Sequence, residues 1–190
     1  MKNITLLVVC SLLVFTAASA FAQTADVYKV DYFSNANTSG APDGTVRLDN
    51  PGTFNGVNPS VCAAIFVFDT AQEMSECCSC LLTPDGLRTL SVDTDLTSNP
   101  LTGVTLTSGV IKIVSTRPVG GVCPLPTRLG PIPTVRSWVT HIQNAGFAET
   151  ETGSQDAALS AAEQVSLAVQ CKAVQTVGSG RGVCSCGTGD

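Results

Sequence analysis

The sequence predicts a mainly β protein, an antiparallel β-sandwich with one or two C-terminal helices and disulfide bracing. Three observations support this class. Short segments of alternating apolar and polar residues recur up to residue 116, with turns rich in Gly, Pro, Asn and Asp between them. Nine cysteines occur among 190 residues, eight of them behind an export signal. Helical periodicity is concentrated near the C-terminus.

The N-terminus has the features of a secretory signal peptide. Lys2 gives a positive start, residues 4–15 form an apolar run, and Ala20-Phe21-Ala22 is a small-x-small cleavage site. We expect cleavage after Ala22, which removes Cys10 with the signal. Residues 23–190 would then be a single secreted domain, located outside the cell, at its surface or in the periplasm. No second segment is a candidate membrane span.

The predicted β part covers residues 25–116. Tyr28, Val30 and Tyr32 alternate with polar residues directly after the cleavage site, and Val61 to Phe68 is a continuous apolar run suited to a strand covered on both faces. The other predicted strands are Val46 to Leu48, Leu90 to Leu96, Val104 to Leu106 and Val110 to Val114. At least six strands indicate a sandwich of Ig-like or jelly-roll-like type, or a small barrel.

A loop, a helical part and a tail follow the predicted strands. Residues 117–134 are rich in Pro and Gly and predict a surface connection. The helical part, residues 135–178, contains a short predicted helix over Val135 to Asn144 and a clearer one from Ser160 to Val177. Ser160 and Glu163 form a capping box, and Gly178 stands at the C-cap. Residues 179–190 form a cysteine-containing tail.

The eight remaining cysteines are predicted to form disulfides. They are Cys62, Cys77, Cys78, Cys80, Cys123, Cys171, Cys184 and Cys186. Eight cysteines allow 105 complete pairings, but bridges within the Cys77 to Cys80 cluster or between Cys184 and Cys186 would be strained. We therefore expect the cluster to pair with Cys62, across a hairpin, and with the terminal pair. Cys171 shares a helical stripe with Leu167 and should face the core.

Two other uses of the cysteines are open. Cys-Cys-x-Cys and Cys-x-Cys could supply thiolate ligands for copper(I) or zinc, although His141 is the only histidine available to join them. A redox-active pair is the second alternative, but the spacing is not Cys-x-x-Cys. Export and the even count favour bridges, so no cofactor or metal is expected.

Catalytic groups are scarce. Any Ser-His-Asp or Cys-His arrangement must use His141, which on the predicted helix shares a face with Trp138 and Ile142 and so resembles a packed residue. Asp93 and Asp95 could bind calcium or form a carboxylate pair, but their alternation with apolar residues favours the solvated face of a strand. No catalytic residue is therefore predicted.

The charge balance restricts the partners. The chain carries 10 Lys and Arg against 15 Asp and Glu, a formal net charge of −5 at pH 7. No cluster of Lys and Arg is present to neutralise phosphates, so nucleic acid is not an expected partner. Small polar side chains form much of the predicted surface, which suits an extracellular or surface-assembled protein.

Two stretches resemble a family of small secreted cysteine-rich bacterial proteins. The first begins Ser75-Glu76-Cys77-Cys78-Ser79-Cys80, continues with Thr83-Pro84-Asp85-Gly86-Leu87-Arg88-Thr89-Leu90-Ser91 and extends to Thr97-Ser98-Asn99-Pro100-Leu101-Thr102-Gly103. The second is Gly180-Arg181-Gly182-Val183-Cys184-Ser185-Cys186-Gly187. We attach no activity to that family, so the resemblance implies no catalytic or binding residue.

The leading functional hypothesis is a non-enzymatic structural protein of the cell surface or matrix, with a filament subunit as one form of it. Residues 25–33 could add as a strand to the sheet of a neighbouring copy, although packing within their own domain is the simpler expectation. A metal-binding protein that uses the cysteine clusters and a hydrolase that uses His141 are the alternatives.

Overall fold

A computed structural model describes residues 25–53, 59–144, 146–177 and 179–187. The predicted signal peptide and the Gly178 cap lie outside these residues. The strands are β1 (Tyr28–Ser34), β2 (Thr45–Asp49), β3 (Val61–Phe68), β4 (Met74–Leu82), β5 (Leu87–Ser91), β6 (Ser108–Thr116), β7 (Arg136–Ile142), β8 (Glu149–Gly153) and β9 (Gln155–Asp156). A π-helical turn spans Val92–Leu96, and the helix α1 spans Ala161–Val177.

The strands form two antiparallel sheets. The first has the order β4-β3-β6-β1-β9 and the second the order β5-β2-β7-β8. Within the first, β3 pairs with β4 on one side and with β6 on the other. The chain changes sheet at Ser154, between β8 and β9, so one nearly continuous segment contributes an edge strand to each sheet. The predicted mainly β class with two antiparallel sheets is confirmed.

The two sheets enclose the main core. Alternate residues of the strands point inward, as period-two patterning requires. The inward side chains include Phe33, Val46, Leu48, Ile65, Val67, Leu90, Ile111, Ile113 and Val139. Gly109 of β6 lies opposite Phe33 of β1, and a Cβ atom at Gly109 would stand 2.1 Å from the carbonyl oxygen of Phe68 and 2.8 Å from the Phe33 ring. Only glycine fits at this close contact.

The helix α1 covers the outer face of the first sheet. Leu167, Cys171 and Val174 are buried against this face and form a second apolar cluster with residues of the sheet, among them Phe66 and Val114. β3 is buried along its whole length because one face contacts the sandwich core and the other the helix layer. The predicted helix and its inward-facing cysteine are therefore confirmed.

The start of α1 is fixed by polar contacts. The Glu163 N–H donates to Ser160 Oγ at 3.0 Å, as the predicted cap requires. The Glu163 carboxylate instead contacts the sheet, where Lys112 Nζ donates to Oε1 at 2.6 Å and the Tyr28 hydroxyl donates at 3.1 Å. The pKa of Glu163 is lowered, and the hydrogen bond from Lys112 is the main cause. Burial, with the Glu163 charge, raises the pKa of Tyr28.

Three predicted elements are wrong. Residues 136–142 form the strand β7 rather than a helix, because their pairing with β2 and β8 completes the second sheet. Val104 to Leu106 forms no strand, and only Leu106 of this segment reaches the core. The strand predicted from Leu90 ends at Ser91, where the π-helical turn begins. The described residues thus contain one α-helix, which agrees with the predicted one or two.

The first strand is internal to its sheet. Residues 28–34 pair with residues 108–114 of β6, and Lys29 and Val30 also pair with β9. Lys29 is buried and its ammonium contacts Asp26 and Asp156, both at 2.8 Å. Segment 25–33 therefore packs within its own domain.

None of the helices in the described part of the chain has the length and hydrophobicity of a membrane span.

Candidate functional site

Strand β4 carries three cysteines on two faces. Because side chains of a strand alternate, Cys78 and Cys80 point into the sandwich core, whereas Cys77 points to the helix layer. Cys77, Cys78 and Cys80 are all buried. The Cys-Cys-x-Cys sequence therefore distributes its sulfurs to both sides of one sheet.

The outward cysteine fastens the helix. Cys77 is bridged to Cys171 of α1, with Cα atoms 5.8 Å apart and a sequence separation of 94. Both residues are fully buried, at 0% exposure. This disulfide holds the helix layer on the first sheet in addition to the apolar contacts of Leu167 and Val174.

The inward cysteines fasten the C-terminal tail. Cys78 is bridged to Cys184 and Cys80 to Cys186, with Cα separations of 5.2 and 5.4 Å. The tail runs parallel to β4 and forms an isolated bridge between Val183 and Cys77. It therefore lies along the edge of the first sheet. We call these two adjacent disulfides the tail ladder.

The last disulfide joins Cys62 of β3 to Cys123 of the loop over residues 117–134. All eight predicted cysteines are thus bridged, and the cluster pairs with the terminal cysteines as expected. The expected pairing of Cys62 with the cluster is wrong. Cys62 lies opposite Leu81 in the hairpin, and the adjacent Cys80 points to the other face of the sheet. A disulfide through the sheet is geometrically impossible, so Cys62 bonds to a loop on its own side.

Hydrogen bonds hold the tail independently of the sulfurs. The Cys77 N–H donates to the Gly182 carbonyl at 2.8 Å, and the Ser185 N–H donates to the Asp95 carbonyl at 2.9 Å. Arg88 Nη1 donates to the Cys186 carbonyl at 2.6 Å. The Nε atom of the same arginine is buried and has no hydrogen-bond partner. The tail is therefore docked by main-chain contacts over several residues as well as by its two disulfides.

A buried carboxyl group, not identified from the sequence, lies next to the tail. Glu76 of β4 is 0% exposed, its Oε1 accepts from the Asn99 N–H at 2.9 Å, and its Oε2 has no partner. Asn99 Nδ2 in turn donates to the carbonyls of Gly180 and Val183. Burial raises the pKa of Glu76 to about 7, with the Asn99 hydrogen bond opposing part of the rise. Period-two alternation from Cys78 would have placed Glu76 inside.

His141 lies on β7 between the sheets rather than on a helix. Its Nε2 is 2.9 Å from Thr152 Oγ1 and 3.3 Å from Asp31 Oδ1, and its ring stacks on Tyr32 with centroids 4.2 Å apart. Its Nδ1 is buried without a partner. A catalytic triad places the nucleophile and the orienting carboxylate on opposite ring nitrogens, whereas here both candidate groups contact Nε2. The arrangement therefore lacks triad geometry.

His141 borders a cleft of about 550 Å³ where the chain passes from β8 to β9. Its other lining residues include Tyr32, Val110, Gln143, Thr150 and Gln155. Trp138, predicted to share a face with His141, lies on the opposite face of β7, because strand alternation separates side chains three positions apart. Asp31 and Thr152 also line the cleft, and both contact the same nitrogen of His141, so the cleft holds one carboxylate among uncharged hydrogen-bonding groups without a triad arrangement.

Asp93 and Asp95 lie in the π-helical turn and accept hydrogen bonds from main-chain N–H groups. Asp93 Oδ1 accepts from the Asn37 N–H at 2.9 Å, and Asp95 Oδ2 accepts from the Ser91 N–H at 2.9 Å. Chiefly burial raises the pKa of Asp93. The expected solvated strand face is wrong. Within the described ranges, one group of three metal-ligating side chains is close enough to share an ion: Cys78, Cys80 and Cys186. Neither Asp93 nor Asp95 belongs to this group.

The sulfurs of that cysteine group form disulfides, and a disulfide sulfur is not the thiolate that zinc or copper(I) prefers.

Comparison with protein-family models, with curated proteins and with solved structures finds no match. The resemblance of the cysteine motifs to a secreted bacterial family therefore stays a prediction.

Proposed function

We propose that this chain is a non-enzymatic structural protein that acts outside the cytoplasm, within a cell-surface or matrix assembly. The observation that supports this most directly is the distribution of the four disulfides. They fasten the loop over residues 117–134, the helix α1 and both tail cysteines to the adjacent strands β3 and β4. Such cross-links are typical of oxidising compartments and suit a domain that must persist without chaperones.

The alternatives have weaker support. A hydrolase would require His141 as its base, yet Asp31 and Thr152 both contact the same ring nitrogen. A thiolate metal protein would require free sulfurs, whereas all eight cysteines expected in the mature chain are bridged. The structural hypothesis requires only a stable fold and an exposed surface for association.

Free sheet edges are the surfaces on which copies could associate. The tail lies along β4, but among the described strands β5 pairs with β2 alone and β8 with β7 alone in the second sheet. Unpaired edges accept an additional strand. Leu87 of β5 is an exposed apolar residue on one of these edges, at 46% exposure.

The test is the assembly state of the exported protein, measured by light scattering and electron microscopy over a wide concentration range. We expect concentration-dependent oligomers or filaments. Leu87→Lys should weaken association if β5 is the contact, whereas Val119→Lys, at an exposed loop position, is the matched control. The structural proposal would be refuted if the protein stays monomeric at every concentration, both alone and when mixed with components of its native cell envelope.

A further inference from the structure

We propose that the tail ladder becomes a four-thiolate binding site for a thiophilic d10 cation, with Zn²⁺ as the reference ion, when its two disulfides are reduced. The ligands would be Cys78 and Cys80 of β4 and Cys184 and Cys186 of the tail. The inference does not depend on the proposed structural function. It applies to a chain that meets the cation before the bridges close, or after a dithiol reductant opens them.

The sulfur positions are the first support. The Sγ atoms of Cys78, Cys80 and Cys186 lie within 4.8 Å of one another, and Cys184 Sγ is bonded to Cys78 Sγ. A tetrahedral zinc site with Zn–S bonds of about 2.3 Å has sulfurs about 3.8 Å apart. Small side-chain rotations after reduction would bring the four sulfurs to this spacing, because two of the ligands already share one face of a strand.

The second support is that the tail does not need its disulfides to stay in register. Main-chain hydrogen bonds join Cys77 to Gly182 at 2.8 Å and Ser185 to Asp95 at 2.9 Å. Asn99 also accepts from the Gly182 N–H at 2.7 Å. These contacts hold the tail at Gly182, before Cys184, and at Ser185, between Cys184 and Cys186. Reduction would therefore leave the thiols facing each other rather than releasing the tail.

The third support is a cation with a free donor at the main chain of Cys186. The Arg88 guanidinium contacts the Cys186 carbonyl, and its buried Nε lacks an acceptor. Four thiolates and one Zn²⁺ carry a net charge of −2, which a neighbouring arginine partly offsets. A positive neighbour also lowers the pKa of a thiol and promotes the thiolate form that binds metal.

Two reactions convert the tail ladder into the metal site. Each bridge accepts two electrons and two protons from a dithiol reductant, which leaves as a disulfide. Binding of Zn²⁺ then displaces the four thiol protons to solvent. Cys186 is partly exposed and gives the reductant access to the ladder, whereas the Cys77–Cys171 bridge is fully buried.

The test opens the ladder with a phosphine reductant under anaerobic conditions, with alkylation and mass spectrometry to identify the opened bridges. The reduced protein is incubated with Zn²⁺ or Co²⁺ and freed of unbound ion. We expect one tightly held Zn²⁺ per chain and, with Co²⁺, the visible bands of tetrahedral thiolate coordination. Cys80→Ser with Cys186→Ser should lose both signals.

Cys62→Ser with Cys123→Ser is the matched control, because it also removes one bridge but leaves the ladder. It should retain the ion. Equal binding by the two double variants, or no binding by the reduced protein, would overturn the proposal. Loss of the β-sheet circular dichroism when only the ladder is opened would overturn it as well, since the site requires the tail to stay in register.

Discussion

The Asn99 N–H donates a 2.9 Å hydrogen bond to Oε1 of Glu76, a fully buried carboxyl group. This contact joins the loop after the π-helical turn to β4, and the Asn99 side chain continues to the tail through Gly180 and Val183. One buried acid therefore contributes to docking both the loop and the tail. Its second oxygen has no partner, so its ionisation is costly.

We predict that Glu76→Gln stabilises the protein above pH 7. The pKa of Glu76 rises from 4.5 to about 7 on folding, so the folded state holds this proton more tightly. Stability from this group is fully present below pH 4.5 and declines until about pH 7. The loss amounts to at most about 3 kcal/mol.

Denaturant unfolding at pH 4, 6 and 8 measures this effect. The free energy of unfolding should fall with pH in the native protein and fall less in Glu76→Gln. Glu73→Gln, at an exposed position before β4, is the matched control and should follow the native profile. Identical pH dependence of the native and Glu76→Gln proteins would contradict the assignment.

Much of the fold was predictable, because alternation of apolar and polar residues reports burial directly. β7 was misassigned since Trp138, His141 and Ile142 also have helical spacing, and only pairing with β2 and β8 decides between the two periods. The strand predicted over Val104 to Leu106 has the right pattern but pairs with none of the described strands. Whether such a segment forms a strand depends on contacts between residues that are distant in sequence, and local periodicity carries no information on these contacts.

The disulfides also divide into pairings that the sequence predicts and a pairing that depends on the tertiary structure. The tail was correctly predicted to pair with the Cys77 to Cys80 cluster, because a Gly-rich segment without a core needs a tether. Cys62 was assigned by proximity across the hairpin, whereas the face to which each sulfur points decides the pairing. Glu76 could have been recognised as buried by counting two residues back from Cys78. Its contact with Asn99 depends on tertiary structure and has no local signal.

We predict that removing the Cys77–Cys171 bridge frees the helix layer. The double variant Cys77→Ala with Cys171→Ala loses a cross-link over 94 residues, which should cost about 2 to 5 kcal/mol. Amide hydrogen exchange in residues 161–177 should accelerate, since α1 then keeps its apolar contacts and the polar contacts of Glu163 but has no covalent link to the sheet. Cys62→Ala with Cys123→Ala is the control and should accelerate exchange in the loop instead. Unchanged exchange in α1 would contradict this role.

We predict that Gly109→Ala destabilises the sandwich. The new Cβ would stand 2.1 Å from the Phe68 carbonyl oxygen, a main-chain atom that cannot move without disturbing the β3 and β6 pairing. Overpacking of this kind typically costs about 1 to 3 kcal/mol. Gly130→Ala is the matched control, because no atom lies within 4 Å of its added Cβ. Equal melting temperatures of the two variants would show that the strands can separate at Gly109.

We predict that β1 is required for folding of each chain. β1 lies between β6 and β9, and its Phe33 is 2% exposed in the main core, whereas the adjacent Tyr32 is 52% exposed. Phe33→Ala should therefore cost about 3 to 5 kcal/mol, and Tyr32→Ala less, because about half of the Tyr32 side chain is already exposed. Deletion of residues 23–34 should give a chain without β-sheet circular dichroism. If the truncated chain remains folded and monomeric, β6 does not need β1 as a neighbouring strand. The internal position of β1 would then not explain the stability of the sheet.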